Sequence, residues 1–404
     1  MRTMTAAVYL SASLALGCGS NGPGPVDVRE LTEVEQSLVQ ASNRFGFKLL
    51  HEVIAESDGG NVFISPLSVS IALGMTFNGT GGSTEQGMRA ALEYGDLSLE
   101  EIDQGYRSLI ELLVGLDPEV QMEIANSIWY RLGFDVLQTF IDAMLEFFDA
   151  LVTAVDFTDP GTVNAINAWV EEKTHGKIDT ILDRTSADTV MVLINAIYFK
   201  GTWTYQFDPE DSSDGTFHTG AGGDKSVKMM HLHGDLRYQR CEDFQAVDLA
   251  YGNGLYSMSI FLPADGKTVD DLVAQLDDET WTEWMAGFEE QELELAMPRF
   301  ELEYDKTLNE VLIALGMEDA FTPYVADFSG IKPDHDMWIS LVKHKTYVKV
   351  NEEGTEAAAV TAVVIEDGAV GDVMIVDRPF LFVIHDAHSR AMLFMGKIVD
   401  PPSE

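Results

Sequence analysis

Between Glu33 and Ile54 apolar side chains return every three or four residues, at Val34, Leu38, Ala41, Phe45, Leu49 and Val53. That spacing predicts a long amphipathic helix. Thr32, with Glu35 three residues on, predicts a capping box at its start, and Asp58-Gly59-Gly60 predicts its end. A short strand over Asn61–Ile64 then runs into Ser65-Pro66, an N-cap and first turn. The helix that follows, through Met75, is apolar nearly all round and belongs in the interior. Ser65, Ser68 and Ser70 therefore need buried partners, and Ser70 is expected to bond back to its own helix.

Helical spacing recurs from Ser83, over Leu99–Leu116, Val136–Phe148 and Thr162–Thr174. Strand patterns fall at Met122–Trp129, Leu151–Phe157 and Thr189–Phe199. The last is apolar on both faces except at Asn195, which predicts a central strand. From Phe217 to Pro263 the pattern is mostly strand. Val269–Phe288 is helical, Leu293–Phe300 a strand, Leu308–Leu315 helical and Trp338–Val350 a long strand. Two closing strands, Phe380–Ile384 and Ala391–Val399, are joined by a polar turn over His385–Ser389. Helices dominate the first half and strands the second, an α+β pattern with no repeat. No break in composition separates Ala41 from Pro401, so residues 31–402 read as one large domain.

The stretch from Val350 to Ile365 fits this scheme least well. It begins as a charged turn around Gly354 and becomes a run of small and β-branched residues. Read as a strand, Thr355, Ala357, Ala359, Thr361, Val363 and Ile365 share one uncharged face. Glu356, Ala358, Val360, Ala362, Val364 and Glu366 share the other, which could stay near solvent. No proline interrupts it, so every residue can donate to a ladder. An Ala-rich helix or linker is the plain alternative.

Composition bounds the function. Apolar residues make up 46% of the chain, enough for a real core. The net charge of −42 argues against nucleic-acid binding and against a polybasic membrane patch. The acids are spread along the chain and fit a soluble, salt-tolerant surface. The two cysteines, Cys18 and Cys241, are too few for a disulfide framework. Residues 1–18 read as a signal peptide, with an apolar run too short to span a membrane. Small residues before Cys18 resemble a bacterial lipoprotein signal, although Ala15 stands where leucine is usual. Lipidation at Cys18 would anchor the chain to a membrane; plain secretion is the alternative, and either places it outside the cytoplasm. Residues 19–30, rich in Gly and Pro, read as a tether.

A search for catalytic chemistry finds none. The G-x-S-x-G elbow is absent, and Gly266-Lys267-Thr268 lacks the upstream glycine of a phosphate loop. His51-Glu52 has no second histidine one turn on. His231 with His233, and His385 with His388, read as surface residues without a third metal ligand. Cys241 reads as an inert, half-buried thiol. Neither an enzyme site, a metal nor a cofactor is expected.

Several separated segments resemble the serpins. They are Asn61-Val62-Phe63-Ile64-Ser65-Pro66 with Ser68, Leu193 through Trp203, Met297-Pro298-Arg299-Phe300, Leu315-Gly316-Met317, Ala326-Asp327-Phe328-Ser329, Asp377-Arg378-Pro379-Phe380 and Phe394-Met395-Gly396-Lys397. Their order and spacing match over about Leu31 to Pro401. The resemblance implies three sheets, eight or nine helices and an exposed reactive loop. It also implies a suicide inhibitor of serine proteases. The target cleaves the loop, is held in a covalent one-to-one complex, and the loop enters the central sheet as a new strand. The chain would act as a monomer.

By the same resemblance Glu352, Gly354, Thr355, Glu356, Ala357, Ala358 and Ala359 match the hinge. Ser65, Ser68, Asn195 and His344 match a buried polar cluster under the opening sheet, and Trp203 the top, where insertion begins. The family's usual count from the hinge places the reactive bond at Gly368–Ala369. Glu366, Asp367 and Val370 mark the alternatives one or two residues away. No Lys or Arg lies between Gly354 and Asp377, which disfavours trypsin-like targets. Elastase-like, subtilisin-like or acid-preferring proteases fit better. The other readings are a non-inhibitory serpin that binds or stores a ligand, and a cross-class inhibitor of cysteine proteases.

Overall fold

The computed structural model describes residues 28–334, 336–355 and 371–402. Helix Glu33–Ala55 starts with the expected capping box, in which Thr32 and Glu35 satisfy each other's backbone N–H. Burial alone would raise the Glu35 carboxyl, but hydrogen bonds from Arg29, Ser108 and Thr32 hold it at about 2. Helix Pro66–Phe77 is buried along its whole length, as its all-round apolar sequence requires.

Strand Met191–Thr202 is the hub of the fold. It pairs antiparallel with Val120–Arg131 on one side over eleven residues. The six-stranded sheet around it runs in the order Phe300–Thr307, Leu341–Asn351, Gly354–Thr355, Met191–Thr202, Val120–Arg131 and Leu151–Val155. Met191, Leu193, Ile197 and Phe199 face the main core. The alternate residues Val192, Ile194 and Ala196 pack against Ile166, Val170, Ile178 and Ile181. Helix Pro160–Lys173 therefore covers the second face of this strand, as its apolar sequence on both faces predicts. The sheet is buried on both sides because its central strand is apolar on both sides.

Strands Phe300–Thr307 and Leu341–Asn351 pair antiparallel over their full overlap. Lys349 pairs with Glu301 at 3.1 Å, and Lys345 and Lys343 pair with Glu303 and Asp305. This charge ladder binds the two strands into one unit.

The remaining strands form a single nine-stranded network rather than two further sheets. The cause is strand Asp224–Arg240, which is 17 residues long. Its start, Asp224–Met229, pairs with Ser213–His218, Met229–Tyr238 pairs with Glu289–Pro298, and Arg237–Arg240 pairs with Phe244–Tyr251. One continuous backbone thus joins both halves.

Four local readings change. Val269–Phe288 is two helices, Val269–Gln275 and Asp278–Ala286, because Asp277 caps a new start. Strands Phe300–Thr307 and Asp372–Ile375 are additional; both are edge strands. His385 and Asp386 belong to the strand Phe380–Asp386, not to a surface turn. The strand is buried at every position, and His385 meets Ser259 at 2.9 Å and packs edge-on to Trp281. Cys241 is exposed.

Candidate functional site

Leu341–Asn351 and Met191–Thr202 are neighbours at two levels only. At the bottom, Leu341–His344 pairs parallel with Val192–Asn195. At the top, the two-residue strand Gly354–Thr355 lies between them, antiparallel to both. Thr355 sits opposite Val350 on one side and Gly201 on the other. Between these levels, residues 345–349 and 196–200 have no strand between them among the described residues. Among the described residues the two strands make no ladder pair with each other there, and this gap, the cleft, begins where Thr355 ends.

The turn that delivers Thr355 is fixed by its own side chains. Asn351 Oδ1 accepts the backbone N–H of Glu353 (3.1 Å) and of Gly354 (3.2 Å), a local turn of the type asparagine favours. Trp203 holds the same turn from the other side. Its backbone N–H donates to the Glu353 carbonyl, and its indole N–H donates to the Asn351 carbonyl at 3.0 Å. Phe207 N–H donates to the Glu352 carbonyl. The Glu352 carboxylate accepts from the Ser212 hydroxyl at 2.8 Å and faces Arg299 at 3.5 Å.

Gly354 has φ of +153°, and a Cβ there would lie 2.1 Å from the Gly201 carbonyl oxygen. Only glycine lets the chain pass so close to strand Met191–Thr202. Thr355 is then buried, and its hydroxyl meets the Tyr251 hydroxyl at 2.6 Å. Tyr251 stacks on Trp203 with 4.3 Å between ring centroids. Burial pushes the Tyr251 phenol well above its ordinary range, with the Thr355 bond a smaller opposing effect, so it stays a neutral partner.

Below the cleft lies the polar cluster. His344 is buried, and its Nε2 accepts the Ser65 backbone N–H at 3.0 Å. Burial lowers the His344 pKa to about 4. The Ser65 hydroxyl donates to the Leu393 carbonyl at 2.6 Å instead of capping its helix. Thr346 donates to the Phe63 carbonyl, and Asn195 Nδ2 donates to Asn126 Oδ1 at 2.5 Å. Ser68 Oγ, Asn126 Nδ2 and Asn195 Oδ1 are buried without a hydrogen-bond partner among the described residues. Ser70 does not bond back to its helix; it meets the Tyr106 hydroxyl at 2.7 Å. Tyr106 lies close enough to compete because α-helix Leu99–Gly115 packs on this helix.

The structure thus brings Ser65 and His344 into contact, with Asn195 at the register position of His344. It gathers Glu352, Gly354, Thr355 and Trp203 at the top of the sheet. Glu356, Ala357, Ala358, Ala359, Glu366, Asp367, Gly368, Ala369, Val370 and Cys18 lie outside the described residues. Asn126, Thr346, Ser212 and Tyr251 were not singled out by the sequence, and Arg299 was named only within a motif. Each acts through a partner far along the chain, so no local pattern marks it. No group of three or more metal-ligating side chains occurs among the described residues. What the geometry offers is mechanical: a paired strand end, an open cleft and a polar cluster whose bonds must break for the cleft to lengthen.

The profile described as Serpin (serine protease inhibitor) matches residues 40–401. Serpin B6 of Macaca fascicularis is 34% identical over 375 residues, covering 90% of this chain and 99% of its own length. Iris of Ixodes ricinus is 36% identical over 84% of this chain and 92% of its own. Among solved structures, the thermophilic serpin tengpin in its native state superposes with a TM-score of 0.84 at 30% identity, covering 94% of this chain and 97% of that one. Human thyroxine-binding globulin complexed with its hormone superposes with a TM-score of 0.86 at 27% identity, covering 92% of this chain and 100% of that one.

Two predictions follow from this geometry. His344 has an unperturbed pKa near 6.5 when unfolded and about 4 when folded. It contributes stability that is fully present above about pH 6.5 and is lost as pH falls through 4. The loss is on the order of 3 kcal/mol. Thermal melting of the native chain should therefore fall more steeply between pH 6.5 and 4 than that of His344→Gln; parallel curves would contradict this. Gly354→Ala should drive the turn off strand Met191–Thr202 at a cost of about 1–3 kcal/mol. Trp203 emission should shift to the red; an unchanged spectrum would show that glycine is not required there.

Proposed function

The chain belongs to the serpin family, and on that premise we propose that it inhibits serine-type endopeptidases as a suicide substrate. The family is one of protease inhibitors that form complexes with their targets, not of enzymes. The observation that carries the reading is Thr355, already paired on both sides at the mouth of the cleft.

Continuing that antiparallel register gives each later residue a place. Glu356 falls beside Lys200 and Lys349, and Thr361 falls beside Asn195 and His344. In that register residues 356–360 would fill the gap between the two strands. From Thr361 onward the parallel pairs between Leu341–His344 and Val192–Asn195 must part. Ala357, Ala359, Thr361, Val363 and Ile365 would join the core face with Thr355. Ala358, Val360, Ala362 and Val364 would lie beneath helix Pro160–Lys173, which accounts for small residues on both faces rather than one. Ladder hydrogen bonds over about ten residues contribute on the order of 10 kcal/mol. About fourteen inserted residues at ~3.3 Å each would carry a bound protease roughly 45 Å.

In the chemical step the protease serine oxygen attacks the carbonyl carbon of Gly368. The serine proton passes to the nitrogen of Ala369 as that bond breaks, leaving an ester to Gly368. Insertion then outpaces hydrolysis of the ester. The absence of Lys and Arg from the loop favours elastase-like, subtilisin-like or acid-preferring targets. Glu366, Asp367 and Val370 remain the neighbouring alternatives for the bond. The inhibitory domain would span 31–402 as a monomer, after a signal over 1–18 and a tether over 19–30. Lipidation at Cys18 would anchor it to a membrane outside the cytoplasm; without it the chain would be secreted.

A ligand-binding role without inhibition has one argument, the likeness to thyroxine-binding globulin. The uncharged, proline-free run from Ala357 to Ile365 weighs against it. Incubation with a panel of serine proteases and denaturing gels decides. A covalent complex is expected, with a released peptide that starts at Ala369. The cleaved chain should melt tens of degrees higher. Thr355→Arg, which places a charge where Tyr251 now meets a hydroxyl, should convert the inhibitor to a substrate with at least tenfold less complex. Loop cleavage with neither complex nor gain in stability would overturn the proposal.

A further inference from the structure

Strand Asp372–Ile375 is the first element after the loop, and it alternates sharply. Met374 is fully buried, while Val373 and Ile375 are 42% and 48% exposed. The strand pairs on one side only, parallel to Glu289–Pro298. No strand covers its outer edge among the described residues. Single exposed apolar residues are ordinary on a protein surface. Two on one face of an uncovered edge strand form a sticky site that a soluble protein tolerates when something covers it.

The register identifies the neighbours of that pair. Val373 lies opposite Glu294, which lies opposite His233; Ile375 lies opposite Ala296, which lies opposite His231. Glu292 shares the face of Glu294 and lies opposite Asp235. Glu292, Glu294 and Asp235 are all exposed. Partial compensation comes from His233, whose Nε2 lies 3.4 Å from Glu292, while His231 contacts Ser213. Arg237, the next residue on this face, is engaged by Asp248 at 2.7 Å. The patch is apolar at its edge, with carboxylates beside it.

We propose that this face of Asp372–Ile375, with Glu292 and Glu294, is a docking surface for the body of the target protease and favours one with a cationic rim. The proposal rests on the inhibitory reading for its partner. Position supplies one argument: Val373 is two residues, roughly 7 Å of strand, beyond the loop that the protease must grip. A protease seated on that loop overhangs this strand. Charge supplies the other: Glu294 lies opposite Val373, with Glu292 and Asp235 further along the same face, in a chain of net charge −42. Such a patch accelerates encounter with a cationic partner and does so less at high salt.

The test separates docking from trapping. Two probes are used, a strongly cationic elastase-like protease and an anionic subtilisin-like protease, each with its catalytic serine replaced so that no ester forms. Dissociation constants are measured against the full chain at low and physiological salt. The native chain should bind the cationic probe at least tenfold more tightly than the anionic one, with a gap that narrows as salt rises. Glu292→Gln with Glu294→Gln should weaken cationic binding about threefold to tenfold, and Val373→Ser with Ile375→Ser about tenfold. Val114→Ser, on an exposed site of another element, should change nothing. Melting curves confirm that each variant is folded. Equal affinity for both probes, or native affinity in both double variants, would overturn the docking surface. Active proteases are run alongside: docking without a covalent complex would sink the inhibitory reading alone, and complexes formed at variant-independent rates would sink the docking surface alone.

Discussion

Everything in this fold leads to the position of two residues, Gly354 and Thr355, between strands that would otherwise be neighbours. They hydrogen-bond to both, and they keep the upper half of the central sheet apart. The lower half is closed by four parallel pairs. A sheet in this state has lost ladder bonds that it could make, so an added strand has a large favourable free energy to collect. The close approach of Gly354 to the Gly201 carbonyl fixes the angle at which that strand would enter.

The cleft does not close or lengthen freely because both faces of the sheet are packed. The core lies beneath, and helix Pro160–Lys173 lies above. The charge ladder from Lys343 to Lys349 makes the outer two strands move as a unit. In the proposed insertion the polar cluster would be the latch. His344 receives a bond from the start of a buried helix while its own strand holds the last parallel pair. A neutral imidazole is required, because a protonated Nε2 has no lone pair to accept the Ser65 N–H. The latch thus couples the sheet to the helical core through a single hydrogen bond.

Much of this was legible in the chain itself. Helix Glu33–Ala55, the buried helix after Ser65-Pro66 and the central strand through Asn195 follow from apolar spacing. The hinge residues followed from a resemblance carried by local motifs. The rest depended on contacts between distant segments. Tyr251 gains meaning only when residue 203 pairs back onto it, and Asn126 only when its strand aligns with Asn195. Ser70 was misplaced for the same reason, since a helix-bonded hydroxyl is the local default and Tyr106 is 36 residues away. His385 was read as part of a turn because its partners, Ser259 and Trp281, lie more than a hundred residues away.

The central claim is that the cleft between residues 345–349 and 196–200 is where the strand after Thr355 enters. Amide hydrogen exchange, read by mass spectrometry before and after cleavage of the loop by a protease that does not form a complex, tests it directly. The account predicts that amides in 196–200 and 345–349 become strongly protected after cleavage, while those of Val120–Arg131 stay as they were. Unchanged exchange in both segments, in a chain fully cleaved between Glu366 and Val370, would contradict it.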